Sequence, residues 1–257
     1  METLLVEKQD RVLLITLNRP EAGNAFNTTM VEEITRVWRE FVADDDLWIA
    51  VITGAGDRFF CTGIDLKEAS SVGVTRTGDI WLPVSRMMHD TWKPIICAVN
   101  GVCCGGGLHF VCDADIVIAS ENAQFFDPHV NVGYISGWEA VGLARRIPLA
   151  YVFRMTMCGR SYRLSAQDAW RIGLVTEVVP QAELLPYALG LAHQMARECA
   201  PLAVRGTKEA IKRGLDMGLR DALELSAEII KKVWGTEDME EGARAFVERR
   251  APQWKGR

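Results

Sequence analysis

Apolar positions along this chain switch repeatedly between a period of two and a period of three to four. Residues 4–8 and 12–17 gather β-formers on either side of Gln9-Asp10, which predicts a hairpin. Asn18-Arg-Pro-Glu-Ala-Gly-Asn24 breaks it. From residue 28 to 43, Met30, Val31, Ile34, Val37, Trp38, Phe41 and Val42 recur at helical spacing, and Thr29 with Glu32 offers a capping box. Residues 48–53 read as a buried strand running into Gly54-Ala-Gly56, and 57–66 as an irregular segment. Ser, Gly and Thr dominate 70–78, predicting a loop; 79–91 reads as a helix, and Lys93-Pro94 marks the next strand. Three glycines, Gly105 to Gly107, then join that apolar run to a short buried helix over 108–112. Strands at 115–119 and 124–126 follow, then an irregular stretch over 127–133. Helices are expected from Ser136 towards Arg146, from Pro148, and over 164–173, before a short strand at 174–179.

From Glu183 the pattern is almost wholly helical, over 183–199, 201–214, 219–234 and 238–249. A strand, strand, helix unit therefore recurs, with no clear sequence repeat between copies. The change in composition near residue 195 separates an α/β core (1–195) from a helical appendage (196–257).

Composition narrows the functional classes. With 257 residues, 49% hydrophobic and 25% charged, the chain can bury a large core. A formal charge of −5 gives no basic footprint for nucleic acid or an anionic membrane surface. No run of about 18 apolar residues and no cationic-then-apolar leader is present, so a cytoplasmic protein with no membrane partner is expected. Seven cysteines, an odd number mostly within apolar runs, suit buried thiols in a reducing compartment, and no C-x-x-C suggests structural zinc. The histidines have no ligand-spaced Cys or carboxylate set, so no metal is expected.

The stretch Asn100-Gly-Val-Cys-Cys-Gly-Gly-Gly-Leu-His109 departs most from generic globular sequence. Glycines at a helix start let backbone N–H groups approach a ligand, and the helix dipole favours negative charge there. Such a turn suits an oxyanion hole or an anion site; it equally suits close packing alone.

The motifs L-N-R-P-E-A-G-N-A (17–25), V-I-T-G-A-G-D-R-F-F-C-T-G-I-D-L (51–66), K-P-I-I-C-A-V-N-G-V-C-C-G-G-G (93–107), C-D-A-D-I-V-I-A-S (112–120), A-Q-F-F-D-P-H-V-N-V-G (123–133), C-G-R (158–160), G-L-V (173–175) and the tail F-V-E-R-R-A-P-Q-W-K-G-R (246–257) occur in this order. In that combination the chain resembles the crotonase (enoyl-CoA hydratase/isomerase) superfamily over nearly its whole length. The resemblance implies an α/β spiral of repeated ββα units and a helical C-terminal trimerisation region, with trimers usually paired into hexamers. It also implies acyl-CoA thioester substrates, coenzyme A arriving as part of the substrate with no separate cofactor, and an enolate stabilised on the thioester oxygen. By position the oxyanion donors are the N–H groups of Ile64 and Gly106. Ala22, Ala25, Thr62, Asp65, Leu66 and Gly105 fall in the segments that line the substrate, and Lys255 is a candidate phosphate ligand, from its own or a neighbouring subunit. Glu21 stands where relatives often carry a basic residue.

The acid–base positions depart from the family pattern. Relatives that hydrate enoyl groups hold a water between two glutamates. Here the first position, two residues beyond the triple glycine, is His109, and the second, after Pro128, is His129. Imidazole titrates near 6.5 and can act as base, acid or hydrogen-bond donor at neutral pH. Glu139 at a helix start, or Asp127 two residues before His129, could restore a carboxylate; the first could equally just oppose the helix dipole, and the second be a turn former before Pro128. Tyr134 offers a hydroxyl. The loop 70–78 with Trp81, Met87, Met88 and Trp138 suggests a roomy apolar pocket or simple core packing; His89 reads as a surface or packing residue rather than a pocket one, and His193 is assigned no role.

The leading expectation is an enoyl-CoA hydratase or isomerase with histidines replacing both glutamates. C–C bond hydrolysis, decarboxylation or thioester hydrolysis on the same enolate, and a catalytically silent CoA-binding homologue, are the alternatives. RNA binding is disfavoured, because Glu32, Glu33 and Glu40 accompany Arg36 and Arg39 on the first helix.

Overall fold

The computed structural model describes residues 1–72 and 91–257. Two sheets run side by side through the core. The larger contains β1 (Leu4–Gln9), β2 (Val12–Leu17), β3 (Ile49–Gly54), β5 (Ile95–Val99), β7 (Ile116–Ser120) and β10 (Glu177–Val179), in that spatial order. The smaller contains β4 (Phe59–Cys61), β6 (Val102–Cys104), β8 (Gln124–Phe126) and β9 (Leu164–Ser165). Among the described residues, only the β1–β2 hairpin and the β8–β9 pair are antiparallel. Successive pairs β3/β4, β5/β6 and β7/β8 each give one strand to each sheet, so every turn of the chain advances both sheets by one strand. This is the ββα spiral that the recurring unit implied.

Short strands were the elements hidden in the sequence. β4 lies inside the stretch expected to be irregular, and β6 separates β5 from the glycines, so the strand that feeds the triple glycine is β6. Two or three paired residues carry little periodicity, and β8 was expected only because Phe125-Phe126 marked it. The long elements fare better. The amphipathic helix α1 (Thr28–Ala43) has the expected bounds and buries Met30, Val31, Ile34, Val37, Trp38 and Phe41. Its cap differs: Asn27 Oδ1 accepts from Met30 N–H at 2.9 Å, so Asn27, not Thr29, closes the N-terminus. Helix α2 (Leu66–Val72) occupies the start of the stretch expected to be loop; residues 73–78, the expected helix 79–91 except Thr91, and Trp81, Met87, Met88 and His89 lie outside the described residues.

Beyond them come α3 (Leu108–Asp113), α4 (Trp138–Ala144), α5 (Leu149–Cys158) and α6 (Ala166–Arg171), the last capped by Ser165. The main core fills the space between the sheets and these helices, with Phe60, Phe110 and Phe125 fully buried. A second core, Val12, Leu14, Val51, Ile96 and Ile118, lies on the opposite face of the larger sheet under α7 (Leu184–Glu198). Helices α8 (Pro201–Gly214), α9 (Leu219–Lys231) and α10 (Glu237–Glu248) complete the chain. Lys208 on α8 ties back to the core through Asp115 at 2.8 Å and the Lys93 carbonyl. No helix among the described residues is long and apolar enough to cross a membrane.

Candidate active site

The spiral brings two chain segments against each other at the glycine turn. Phe26 N–H donates to Gly63 O at 2.8 Å and Asp65 N–H donates to Phe26 O at 3.1 Å. In this parallel bridge Ile64 lies opposite Phe26 and its own N–H points to the other side, away from the pairing. Gly63, at φ +87°, sits so close to the triple glycine that a methyl group on it would stand 2.7 Å from Gly106 N. A methyl group on Gly106 would overlap the Phe26 ring. Both glycines are therefore demanded by space, and their effect is to lay the peptides of Ile64 and Gly106 beside one another with no side chain between. Gly105 to Gly107 form a 3-10 turn leading into α3, so the Gly106 N–H belongs to the first turn of a helical run.

The opposite feature of the site is ionic. His109, in α3, and His129, in a 3-10 turn over His129–Val132, both point Nε2 at one oxygen: Glu139 Oε1 lies 3.1 Å from His109 and 3.5 Å from His129. Glu139 is the second residue of α4 and is buried, as are His109 and Asp127. The far side of the His129 ring meets Asp127, whose Oδ1 is 2.5 Å from Nδ1 and also accepts the His129 backbone N–H at 3.0 Å. The Ser136 hydroxyl donates to Asp127 Oδ2. Asp127, His129, Glu139 and His109 thus form one continuous line of charged or chargeable groups. Trp138 packs beside it, its ring 6.2 Å from that of His109 and tilted 45°.

Electrostatics in this line run against burial. Burial pushes the Glu139 carboxyl up, but the hydrogen bond from His109 and the charges of both imidazoles outweigh it and hold Glu139 below the ordinary carboxylate range. Asp127 behaves alike: burial raises it, and the hydrogen bonds from His129 and Ser136 bring it below its usual value. Burial lowers His129, yet its bond to Asp127 and the Glu139 charge lift it above the usual 6.5. The arrangement therefore favours the ionised forms of Asp127 and Glu139 and the protonated form of His129.

The other candidate residues are distributed unevenly. Thr62, Ile64 and Gly105 belong to the glycine wall, and Ala22 and Ala25 flank Gly23, whose carbonyl accepts Thr62 N–H at 3.1 Å. Asp65 is fully engaged in structure: one oxygen pairs with Arg19 at 2.9 Å and the other accepts the Lys67 and Glu68 N–H groups that open α2. Leu66 is exposed at the start of that helix. Tyr134 is partly exposed, and its N–H donates to His129 O. Lys255 sits apart on the C-terminal tail, its ammonium paired with Glu237 at 2.8 Å and its N–H on Asp238. Sequence reasoning offered Asp127 as a compensating carboxylate or a turn former, behind Glu139, and missed Ser136. The Asp-x-His spacing was the available signal, because a residue that caps a turn two positions before a histidine can also reach its ring. Beside His109 and Trp138 a cavity of about 890 Å³ opens towards Arg145, Lys208 and Lys212; Ile64, Gly106 and His129 do not line it. Among the described residues no group of three His, Cys, Asp or Glu side chains is arranged to hold a metal ion.

A close-packed glycine turn two residues before a histidine held on a buried carboxylate, on this ββα spiral, is the pattern of the crotonase class. Comparison with known proteins agrees: the family model for enoyl-CoA hydratase/isomerase matches residues 7–257, and the chain belongs to that family. It is 38% identical to the (E)-benzylidenesuccinyl-CoA hydratase of Thauera aromatica, over 98% of both chains, and 35% identical to the 2,3-dehydroadipyl-CoA hydratase of Escherichia coli, over the full length of both. Among solved structures, an enoyl-CoA hydratase/isomerase from Mycobacterium paratuberculosis matches at TM-score 0.91 and 41% identity, covering 100% of this chain and 99% of that one. An enoyl-CoA hydratase from Bacillus anthracis matches at TM-score 0.94 and 31% identity, covering 99% of this chain and 100% of that one. The chain is accordingly an acyl-CoA-processing enzyme of the enoyl-CoA hydratase/isomerase type.

Proposed function

We propose that the chain adds water across the double bond of a 2-enoyl-CoA, with His109, Glu139 and His129 in place of the two-glutamate pair. The observation that carries this reading is the convergence of both imidazoles on Glu139 Oε1. In this scheme Glu139, oriented by His109, takes a proton from water, and the hydroxyl forms a bond to the β-carbon. The π electrons move onto the thioester oxygen, where the Ile64 and Gly106 N–H groups hold the developing charge; one such donor contributes typically about 3 kcal/mol. His129 then delivers its proton to the α-carbon, and the proton on Glu139 returns to His129 through the shared contact, so the site is reset with one water consumed. Coenzyme A enters as part of the substrate along Ala22, Ala25, Thr62, Asp65, Leu66 and Gly105, with Tyr134 near the acyl end and Lys255 towards the phosphates.

The helical region 196–257 is assigned to self-assembly as a trimer or a dimer of trimers. Leu219, Leu223, Ile230 and Trp234 leave large apolar surfaces exposed on and just beyond α9, which supports that assignment. Seven free cysteines, five of them buried, fit a reducing compartment such as the cytoplasm.

The test is turnover of crotonyl-CoA and of a bulkier aromatic 2-enoyl-CoA, followed by loss of the conjugated-thioester absorbance, in wild type, His109→Ala and His129→Ala. Each variant should lose on the order of 10²–10⁴-fold in kcat/KM while still binding the thioester by calorimetry. No binding by the wild-type oligomer would refute the acyl-CoA reading. Binding without hydration, but with release of free CoA, would replace hydration by thioester hydrolysis.

A further inference from the structure

We infer that Asp127 is a positioning residue that sets the tautomer and the charge of His129, with Ser136 as its anchor. Its kinetic consequence rests on the hydratase reading above; its structural content does not. Asp127 is completely buried, and three hydrogen bonds converge on its two oxygens. Oδ1 receives both the backbone N–H and the ring Nδ1 of His129, while Oδ2 receives the Ser136 hydroxyl from the far end of the same loop. With Nδ1 fixed on Asp127, Nε2 is the nitrogen left to face Glu139 Oε1 at 3.5 Å. An imidazole lying between two ionised carboxylates donates from both nitrogens only as the cation.

Groups on the surrounding elements do not oppose that charge state. From α3, His109 reaches the same Glu139 oxygen. The Cys104 thiol is pushed up to about 12 by burial, and the Cys112 thiol is raised well above its ordinary value, so both are neutral. Arg163 is stacked over the Phe126 ring, and Arg160 touches the loop through its backbone N–H on Asn131 Oδ1. Two carboxylates therefore face His129 directly, and among the described residues no cation bonds to its ring.

The competing explanation is that Asp127 only shapes the turn, its Oδ1 capping the backbone N–H of His129. Asp127→Asn separates the two, because the amide oxygen can still accept that N–H while the charge is gone. The measurement is ¹⁵N NMR titration of the His129 ring, assigned with His129→Gln, in wild type, Asp127→Asn and Ser136→Ala without substrate. Asp127→Asn should lower the His129 pKa by about one unit or more, the scale of losing an opposite charge at contact distance, and Ser136→Ala by a few tenths. Under the hydratase reading, the alkaline limb of kcat/KM should move down by the same amounts. An unmoved His129 titration in a folded Asp127→Asn protein overturns the inference. A moved titration in a protein that does not hydrate enoyl-CoA keeps the inference and refutes the reaction instead.

Discussion

The two walls of the site are built from opposite materials. The Ile64–Gly106 wall is backbone: side chains are excluded by contact, with Gly63 against Gly106 N and Gly106 against the Phe26 ring. The His109–Glu139–His129–Asp127 wall is side chain throughout, and its geometry follows from charge and hydrogen bonding rather than from close packing. The first tolerates almost no change of shape but is indifferent to pH. The second is set by charge, and its state depends on pH. A rigid dipolar wall can stabilise an enolate whatever is done to it next, whereas the ionic wall decides what is done. On the proposed reading, that division lets the acid–base chemistry change at the histidines while the glycine turn is kept.

The sharpest break between the walls is expected at Gly63→Ala. The substitution forces φ +87° on a residue with a Cβ and drives that carbon into backbone at Gly106 N, which cannot rotate aside. Strain and overpacking together should cost about 3 kcal/mol of stability, seen as a lowered Tm. Displacement of the oxyanion donors should remove roughly 10²–10³-fold of kcat. A fully stable, fully active Gly63→Ala protein would show that the wall is not rigid.

Glu139→Gln should behave in the reverse manner. The side chain keeps its shape and can still accept a hydrogen bond but loses the charge that faces the imidazoles, so Tm should fall less than in Gly63→Ala, while kcat/KM falls by about 10² because the amide cannot take a proton. Equal losses of stability and activity would mean that Glu139 is a packing residue instead.

The smallest expected effect is in pH dependence, and it belongs to the ionic wall alone. Asp127 and Glu139 are held low, so their contribution to stability is complete above the unfolded carboxylate range near 4 and is lost as pH falls through their lower folded values. His129 is raised, so its contribution is complete below about 6.5 and is lost as pH rises through its higher folded value. The Tm difference between wild type and His129→Gln should therefore be greatest between about pH 4 and 6.5 and shrink on both sides. A difference that is constant with pH would remove the ionic line as a feature of the folded protein.

Long-period elements were legible from sequence because burial imposes their pattern locally: α1 and α8 have the bounds that their apolar spacing predicted, and β2 and β8 were recognisable as runs of β-formers. The glycine turn, the recurring strand-strand-helix unit and the identities of His109 and His129 were equally visible, since each is a matter of residue type at a fixed place in the chain. The tertiary structure alone decided that Glu139 stands between the two histidines and that Asp127 is a partner of His129 rather than only a turn former. These contacts bring α3, the turn after β8 and the start of α4 together through the coil of the spiral, and no local periodicity encodes a distance between residues 109, 129 and 139. Short strands such as β4 and β6 stayed hidden for the same reason, because three residues form a strand only when the next turn of the chain supplies the partner.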